Sequence, residues 1–551
     1  MKRGLVVLLI AAMLPVAFTQ TNSYFEISKN LDIYASLYKE LNTYYVDEVQ
    51  PSDLMRQGID GMLNSLDPYT SYISEAEIEG YRMQTTGKYG GIGALVRKVD
   101  RYITISEPYE GYAANKAGLL AGDKLLKIDG TSVIDKETND ISSLLKGQAG
   151  TNTTLLILRT LADGTEKEME VVVTREDIKI KNVPYYGMIN TEIGYIRLSN
   201  FTDDAGKEVH DALEDLKSKN PTLKSLVFDL RGNPGGLLAE AVNVSNVFVD
   251  KNQEIVSTRG KVNEWDKTFK TLNNAVDTQI PIAVLVNRGS ASASEIVAGS
   301  LQDLDRAVIV GQRSFGKGLV QTTRNLPYNT KLKITTAKYY TPSGRCIQAL
   351  DYAHKDENGY AAKTPDSLKV AFKTAGGRTV YDGAGIDPDL EVEGTPVNKI
   401  TMSLINKNYI FHYATIYRAK NPTIAAAKDF KLSDKDYQDF VAYLNGKEYD
   451  YATESEELLK ELESTTKDEK YYDAIAAELK KLKDNVMHDK SNDLTKHKEE
   501  IKKVLEDEIV SRYYYSTGRI MVSFNYDEDI QTALKVLNNP NQYKQILTAK
   551  K

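Results

Sequence analysis

Between Ile178 and Val392 the chain alternates two kinds of segment: GYIRL, a helix to Asn220, SLVFDL, a Gly-rich loop, the helix LLAEAVNVSNVFV, IAVLV, a helix after Ser292, AVIV and KLKITTAKYY. Strand and helix signals in this cadence predict a layered α/β domain. In such domains the loops leaving the strand ends gather the chemistry. Two of them stand out here, Asp229–Gly236 (DLRGNPGG) and Asn287–Ile296 (NRGSASASEI).

That stretch is only part of 551 residues, more than one core usually holds, so three or four domains are expected. Residues 20–86 read as a helical N-terminal region. Leu31, Tyr34, Leu37, Tyr38, Leu41 and Tyr45 form one apolar stripe that needs a partner surface, and a second helix starts at Pro51-Ser52-Asp53. Residues 87–176 change to short β-branched runs with Gly-rich turns, DGT occurring at Asp129 and Asp163, and one helix near Asn139–Leu145. Residues 177–396 hold the α/β domain. Residues 397–551 are rich in Lys, Glu, Asp and Tyr. There Tyr471, Tyr472, Ile475, Leu479, Leu482 and Val486 trace one helical stripe, and Ile501, Val504, Leu505 and Ile509 another. The mixed charges read as solvated helix faces, predicting an accessory or assembly domain without chemistry of its own.

Met1–Thr19 has Lys2 and Arg3, a short apolar run and small residues at Ala17 and Thr19, the layout of a secretory signal peptide. An uncleaved anchor is the alternative, against which the interrupting Pro15 stands. The expected location is therefore exported, in the periplasm or cell envelope. Without the signal, 68 basic residues face 77 acidic ones, a charge of −9 that excludes the concentrated basic face of a nucleic-acid binder. Cys346 is the one cysteine, so no intrachain disulfide can form, and it reads as a small buried hydrophobe. The histidines at 210, 354, 412, 488 and 497 show no metal-ligand spacing and offer no catalytic base.

Adjacent glycines before a helix, as at Gly235 and Gly236, expose N–H groups that suit a phosphate or an oxyanion, and the loop alone does not choose. In NRGSASASEI, Ser294 fits the role of a helix cap, and a serine nucleophile would need activation. The stretch GQRSFGKGLVQ, Gly311–Gln321, approaches a Walker A loop but has Gly318 where the magnesium-binding hydroxyl belongs. A lysine can instead act as general base once burial lowers its pKa, and Ser-Lys pairs are an accepted variant of triad logic. Gly316 and Gly318 give Lys317 room to be buried.

Two resemblances follow. AANKAGLLAGDKLLKIDG, Ala113–Gly130, resembles the PDZ family. Together with DLRGNPGG, SASASEI and FGKGLVQ it resembles the carboxyl-terminal processing proteases of the S41 serine peptidases. The resemblance implies a multidomain α+β chain: helical N-terminal region, PDZ domain, α/β peptidase core and helical C-terminal domain. It implies Ser292 as nucleophile, Lys317 as base 25 residues later and Gln321 as the side chain that orients the lysine. It implies an oxyanion hole from Ala293 with Gly235 or Gly236, Gly236 foremost, and a peptide carboxylate loop at Gly91, Ile92 and Gly93. No metal or cofactor is needed. The implied partners are protein or peptide substrates with exposed C-termini, with room for a lipoprotein adaptor and a homo-oligomer. A catalytically inactive PDZ scaffold and an ATPase remain the rival classes.

Overall fold

The computed structural model describes residues 24–548 except 358, 395, 450 and 491. Met1–Thr19, where the export signal is expected, lies outside them. The chain divides into two compact units, residues up to Ala76 together with Gln321–Thr335, and Glu77–Val320 together with Thr336–Lys551.

In the smaller unit a helix over residues 24–44 is followed by a second, Pro51–Asn64, with proline at its first turn as expected. Strand Ser71–Ile73 pairs antiparallel with Lys331–Lys333. The stripe predicted to find a partner is instead exposed: Leu31 keeps 63% of its surface and Leu37 54%. Periodicity reports which face of a helix is apolar, and nothing about what covers it.

The larger unit begins with the β-rich domain. Its antiparallel sheet runs in the order Ala94–Val99, Tyr102–Pro108, Lys124–Ile128, Asn152–Thr160, Glu166–Thr174. Both DGT segments are turns. Gly130 and Gly164 take φ of 81° and 84°, where a side chain would be strained. The predicted helix is Thr138–Leu145, and Ile103, Ile105, Leu125, Leu155 and Ile157 fill the core.

The α/β domain carries six strands in the order Tyr185–Met188, Ile193–Arg197, Ser225–Asp229, Ile282–Val286, Val308–Gly311, Leu390–Glu391, parallel after the first pair. Every residue of Ile282–Val286 is buried, as parallel strands covered on both faces require. KLKITTAKYY is not in this sheet: in the larger unit its end, Ala337–Tyr340, pairs antiparallel with Ser257–Gly260.

Alternate residues of the parallel strands point to different covers. Ile196, Phe228, Val284 and Ile309 pack with Leu213 of helix Ala205–Lys219, Val244 of Leu238–Asn246 and Val297 of Ala293–Asp303. Tyr195, Val227, Leu285 and Val308 pack instead with Phe524, Ile530, Ala533, Val536 and Tyr543, from the end of the chain. Tyr543 anchors this cover, its hydroxyl accepting the Ile282 N–H at 2.9 Å. The C-terminal region is thus not merely appended, because its last helices, Glu528–Leu537 and Pro540–Ile546, complete the core of the α/β domain. Its remaining helices bury Leu404, Phe440, Ile501, Leu505 and Ile509 in a core of their own. Of the other predicted stripe Leu479 is buried, while Tyr471 and Leu482 are exposed.

Candidate active site

Three neighbouring parallel strands, Ser225–Asp229, Ile282–Val286 and Val308–Gly311, lead into the segments singled out by sequence: DLRGNPGG, NRGSASASEI and GQRSFGKGLVQ. Their shared carboxyl edge brings together residues up to 88 positions apart, from Asp229 to Lys317.

The three serines of SASAS separate by their bonds. Ser290 Oγ donates to the Leu230 carbonyl at 2.9 Å, and Ser294 Oγ to the Asn233 carbonyl at 2.9 Å, both fully buried. Ser294 is therefore a tie to the Gly-rich loop and not the helix cap expected of it. The cap is Ser292, one residue before helix Ala293–Asp303, half-buried, with φ 54° and ψ −112°. A non-glycine residue there is strained, and a sharp strand-to-helix turn is how a nucleophilic serine is presented.

Glu295 fastens this turn to the lysine loop. It is fully buried, and its Oε2 accepts the N–H groups of Ser292 at 2.8 Å and Lys317 at 2.9 Å. Its Oε1 accepts the Gly316 N–H at 2.6 Å and the Ser314 hydroxyl at 2.5 Å. Burial pushes the Glu295 carboxyl up to about 7 against the pull of these four donors. Tyr339 adds a second brace, its hydroxyl 2.6 Å from the Lys317 carbonyl oxygen and 3.2 Å from that of Ser292. Neither residue was singled out by sequence. Ser292-x-x-Glu295 does have capping-box spacing, a signal that could have found the first.

Lys317 itself is half-buried, short of the burial expected for it. Its flanking glycines are explained by close packing: a Cβ on Gly316 would lie 2.5 Å from Ala349 Cβ, and one on Gly318 2.8 Å from the Gln348 nitrogen. Gln321 lies on strand Leu319–Leu326, where its Nε2 donates to Thr335 Oγ1 at 3.1 Å.

The Gly-rich loop sorts its amides. Gly235 N–H donates to Asn233 Oδ1 at 2.9 Å, so its candidacy as an oxyanion donor gives way. Among the described residues the amides of Gly236 and Ala293 meet no protein acceptor. Gly235 has a steric role: with φ 95°, a methyl group on it would sit 2.8 Å from the Ala293 nitrogen and 2.9 Å from Ser292 Cβ. The loop closes directly on the serine turn, and Ala291 N–H donates to the Asn233 carbonyl at 3.0 Å.

Beneath the loop Asp229 is fully buried and takes bonds from Tyr195, Arg197 and Arg231. Burial works to raise its carboxyl, but Arg231 and Arg197 win and hold it far below the usual carboxylate range. Arg231 in turn reaches Asp527 and Asp529 of the C-terminal region.

In the β-rich domain Gly91 and Ile92 are buried, and the carbonyls of Ile92 and Gly93 accept the Ala114 and Tyr109 N–H groups at 2.7 and 2.8 Å. Among the described residues the Gly93 amide meets no protein acceptor, while the bridge between Gly91 and Lys146 turns the Ile92 N–H toward the Leu145 carbonyl. Strand Ala94–Val99 that follows is a sheet edge, with Leu95 and Leu144 half-exposed beside it. Cys346 is partly buried, and burial pushes its thiol up. Among the described residues no cluster of His, Cys, Asp and Glu could hold a metal ion, and no helix is long and apolar enough to cross a membrane.

Models of known families match three parts of the chain: peptidase family S41 over residues 192–353, a PDZ domain over 104–159, and the C-terminal helical domain of a group described as probable PDZ-proteases over 400–537. A carboxy-terminal-processing protease of Bartonella bacilliformis is 42% identical over 332 residues, 60% of this chain and 75% of that one. A "Probable CtpA-like serine protease" of Staphylococcus haemolyticus is 37% identical over 315 residues, 56% of this chain and 61% of its own length. One from Staphylococcus aureus is 36% identical over 322 residues, 58% and 62% respectively, so the chain spans less than two thirds of these staphylococcal relatives. The chain belongs to peptidase family S41, among the carboxy-terminal-processing serine proteases that carry a PDZ domain.

Proposed function

We propose that this chain is an endopeptidase of exported proteins, with Ser292 as nucleophile and Lys317 as general base. The observation that carries this reading is the Glu295 carboxylate, which holds the backbone of both residues at once. Ser292 Oγ attacks a peptide carbonyl while neutral Lys317 takes its proton. The Gly236 and Ala293 amides receive the oxyanion, Lys317 returns the proton to the leaving amine, and water deprotonated by the same lysine frees the acyl-enzyme. Seating a substrate over the half-buried lysine excludes water from it.

The PDZ domain supplies the second half of the function. An extended C-terminal tail adds to the edge strand Ala94–Val99, its carboxylate received by the Gly93 amide. The substrates are then polypeptides of the periplasm or cell envelope with accessible carboxyl termini. A lipoprotein adaptor and self-association are compatible extensions of this reading.

The test is incubation with an unstructured polypeptide carrying a series of C-terminal tails. The unsubstituted protein is expected to cleave it, Ser292→Ala and Lys317→Ala to leave it whole. Tail binding without Ser292-dependent cleavage would make the chain a PDZ scaffold.

A further inference from the structure

Arg231 is a half-buried cation five residues before Gly236, the glycine left as oxyanion donor, and it does not rely on its own domain alone. Its Nε and Nη2 face Asp229, with Nη2 at 2.8 Å from Oδ2. Its Nη1 faces the other way, 2.8 Å from both oxygens of Asp527 and 2.7 Å from Asp529 Oδ2. These two carboxylates stand at the start of helix Glu528–Leu537, whose apolar face covers the sheet from behind. Asp527 caps that helix by accepting the Ile530 N–H at 3.0 Å. Asp529 also reaches the end of the strand before the lysine loop, its Oδ1 3.6 Å from where a Cβ on Gly311 would lie.

The backbone around Arg231 is bonded at every step toward the serine turn. Arg231 N–H donates to Asp229 Oδ1, and its carbonyl accepts from Arg197 Nη2. Gly232 N–H donates to Asn287 Oδ1, and Asn233 holds Ala291 and Ser294 through its carbonyl. Asn233 Oδ1 in turn takes the Gly235 N–H, so Arg231 stands at the root of the loop that carries the Gly236 amide, whose far side is held by Phe201. Asp229 alone cannot balance both Arg197 and Arg231, and the charges that complete the network come from nearly 300 residues downstream.

We infer that Asp527 and Asp529 are positioning residues for peptide hydrolysis: the helical C-terminal domain sets the oxyanion loop by holding Arg231 from below. The inference rests on the serine peptidase reading given above. It assigns the C-terminal domain a part in the chemistry that its solvated, mixed-charge sequence conceals.

The experiment uses the full chain carrying Asp527→Asn, Asp529→Asn and both together. Asparagine keeps the cap and the volume but removes the charge. Three quantities are measured: kcat and KM on a peptide, inhibition by a peptide aldehyde, whose adduct with serine bears the oxyanion, and binding of the cleaved product, which bears none. The double variant is expected to lose at least ~10-fold in kcat, part of the 10²–10³ that a missing oxyanion donor costs. Aldehyde inhibition weakens by a similar factor while KM and product binding hold, and Asp529→Glu recovers part of the loss. If the double variant fails to fold, the single variants carry the same comparison. Ser292-dependent cleavage with kcat and aldehyde inhibition undiminished overturns this inference alone. Absence of Ser292-dependent cleavage in the unsubstituted chain overturns the peptidase reading and this inference with it.

Discussion

The two faces of the parallel sheet are made of the same strands, yet they are closed by different parts of the chain. The front is covered by helices that alternate with the strands, within Ala205–Asp303. The back waits for Phe524, Ile530 and Tyr543, more than 200 residues beyond the central strand Ile282–Val286. Both are dry, and neighbouring residues such as Val284 and Leu285 belong to opposite covers. A front built locally can therefore present the candidate catalytic loops, whereas the charges beneath those loops come with the distant back.

The largest effect is expected at the front edge. Glu295→Ala leaves four donors without their acceptor in a closed site, and at about 1 kcal/mol or more for each the fold loses on the order of 4 kcal/mol. Chemical denaturation and peptide hydrolysis should both report it, with activity abolished. Retention of wild-type stability would show that the serine and lysine segments do not depend on this carboxylate. Gly235→Ala comes next, a change that strains φ 95° and drives a methyl toward Ala293. A kcat lower by ~10²–10³ is expected, the scale of an oxyanion-hole defect, and steady-state kinetics on a folded variant decides it.

The comparison of faces is tested directly by Val284→Ala and Leu285→Ala. Truncating the leucine should cost about 3 kcal/mol and the smaller valine less. If front and back form one cooperative unit, both variants shift a single urea transition. A separate early transition confined to Leu285→Ala would mark the back cover as an independent attachment.

The pH dependence is a further handle on the front. The Glu295 carboxyl, raised to about 7 in the fold from 4.5, binds more protons folded than unfolded between those values. Its contribution therefore makes stability fall as pH rises from 4.5 to 7 and leaves it level above. Activity should run the other way, rising through 7 as the ionised carboxylate regains all four donors. Glu295→Gln should remove that part of the stability slope, and an unchanged slope in urea melts would sink the assignment.

The smallest effects set two tyrosines against each other. Tyr339→Phe at the front and Tyr543→Phe at the back each lose hydroxyl contacts to backbone, worth about 1 kcal/mol. Only the first should lower kcat, since Tyr339 touches the Ser292 and Lys317 carbonyls while Tyr543 touches Ile282. Equal loss of kcat in both would erase the functional distinction between the faces.

Much of the candidate site is suggested by residue types. Ser292, Lys317 and the Gly-rich loop lie in short, ordered segments with turn and helix-start signals, which are local properties of the backbone. The division of labour among Ser290, Ser292 and Ser294 could not be read, because it depends on which carbonyl each hydroxyl meets. Glu295 was hidden in the same way: a glutamate at the third position of a helix is ordinarily a solvated capping partner. The helical stripe at Leu31–Leu41 was legible as apolar, yet the surface it covers was not.

The sequence by itself determined the alternation of strands and helices, the glycine turns and the order of the chemical segments, because these rest on local sterics and on side-chain periods of two and 3.6. Only the tertiary structure decided that one carboxylate would join Ser292 to Lys317, that Gly235 would lose its amide to Asn233, and that Asp527 and Asp529 would meet Arg231. The first and the last of these join segments tens to hundreds of residues apart. Their partners are chosen by burial, where a charge or an amide must find whatever the fold brings beside it.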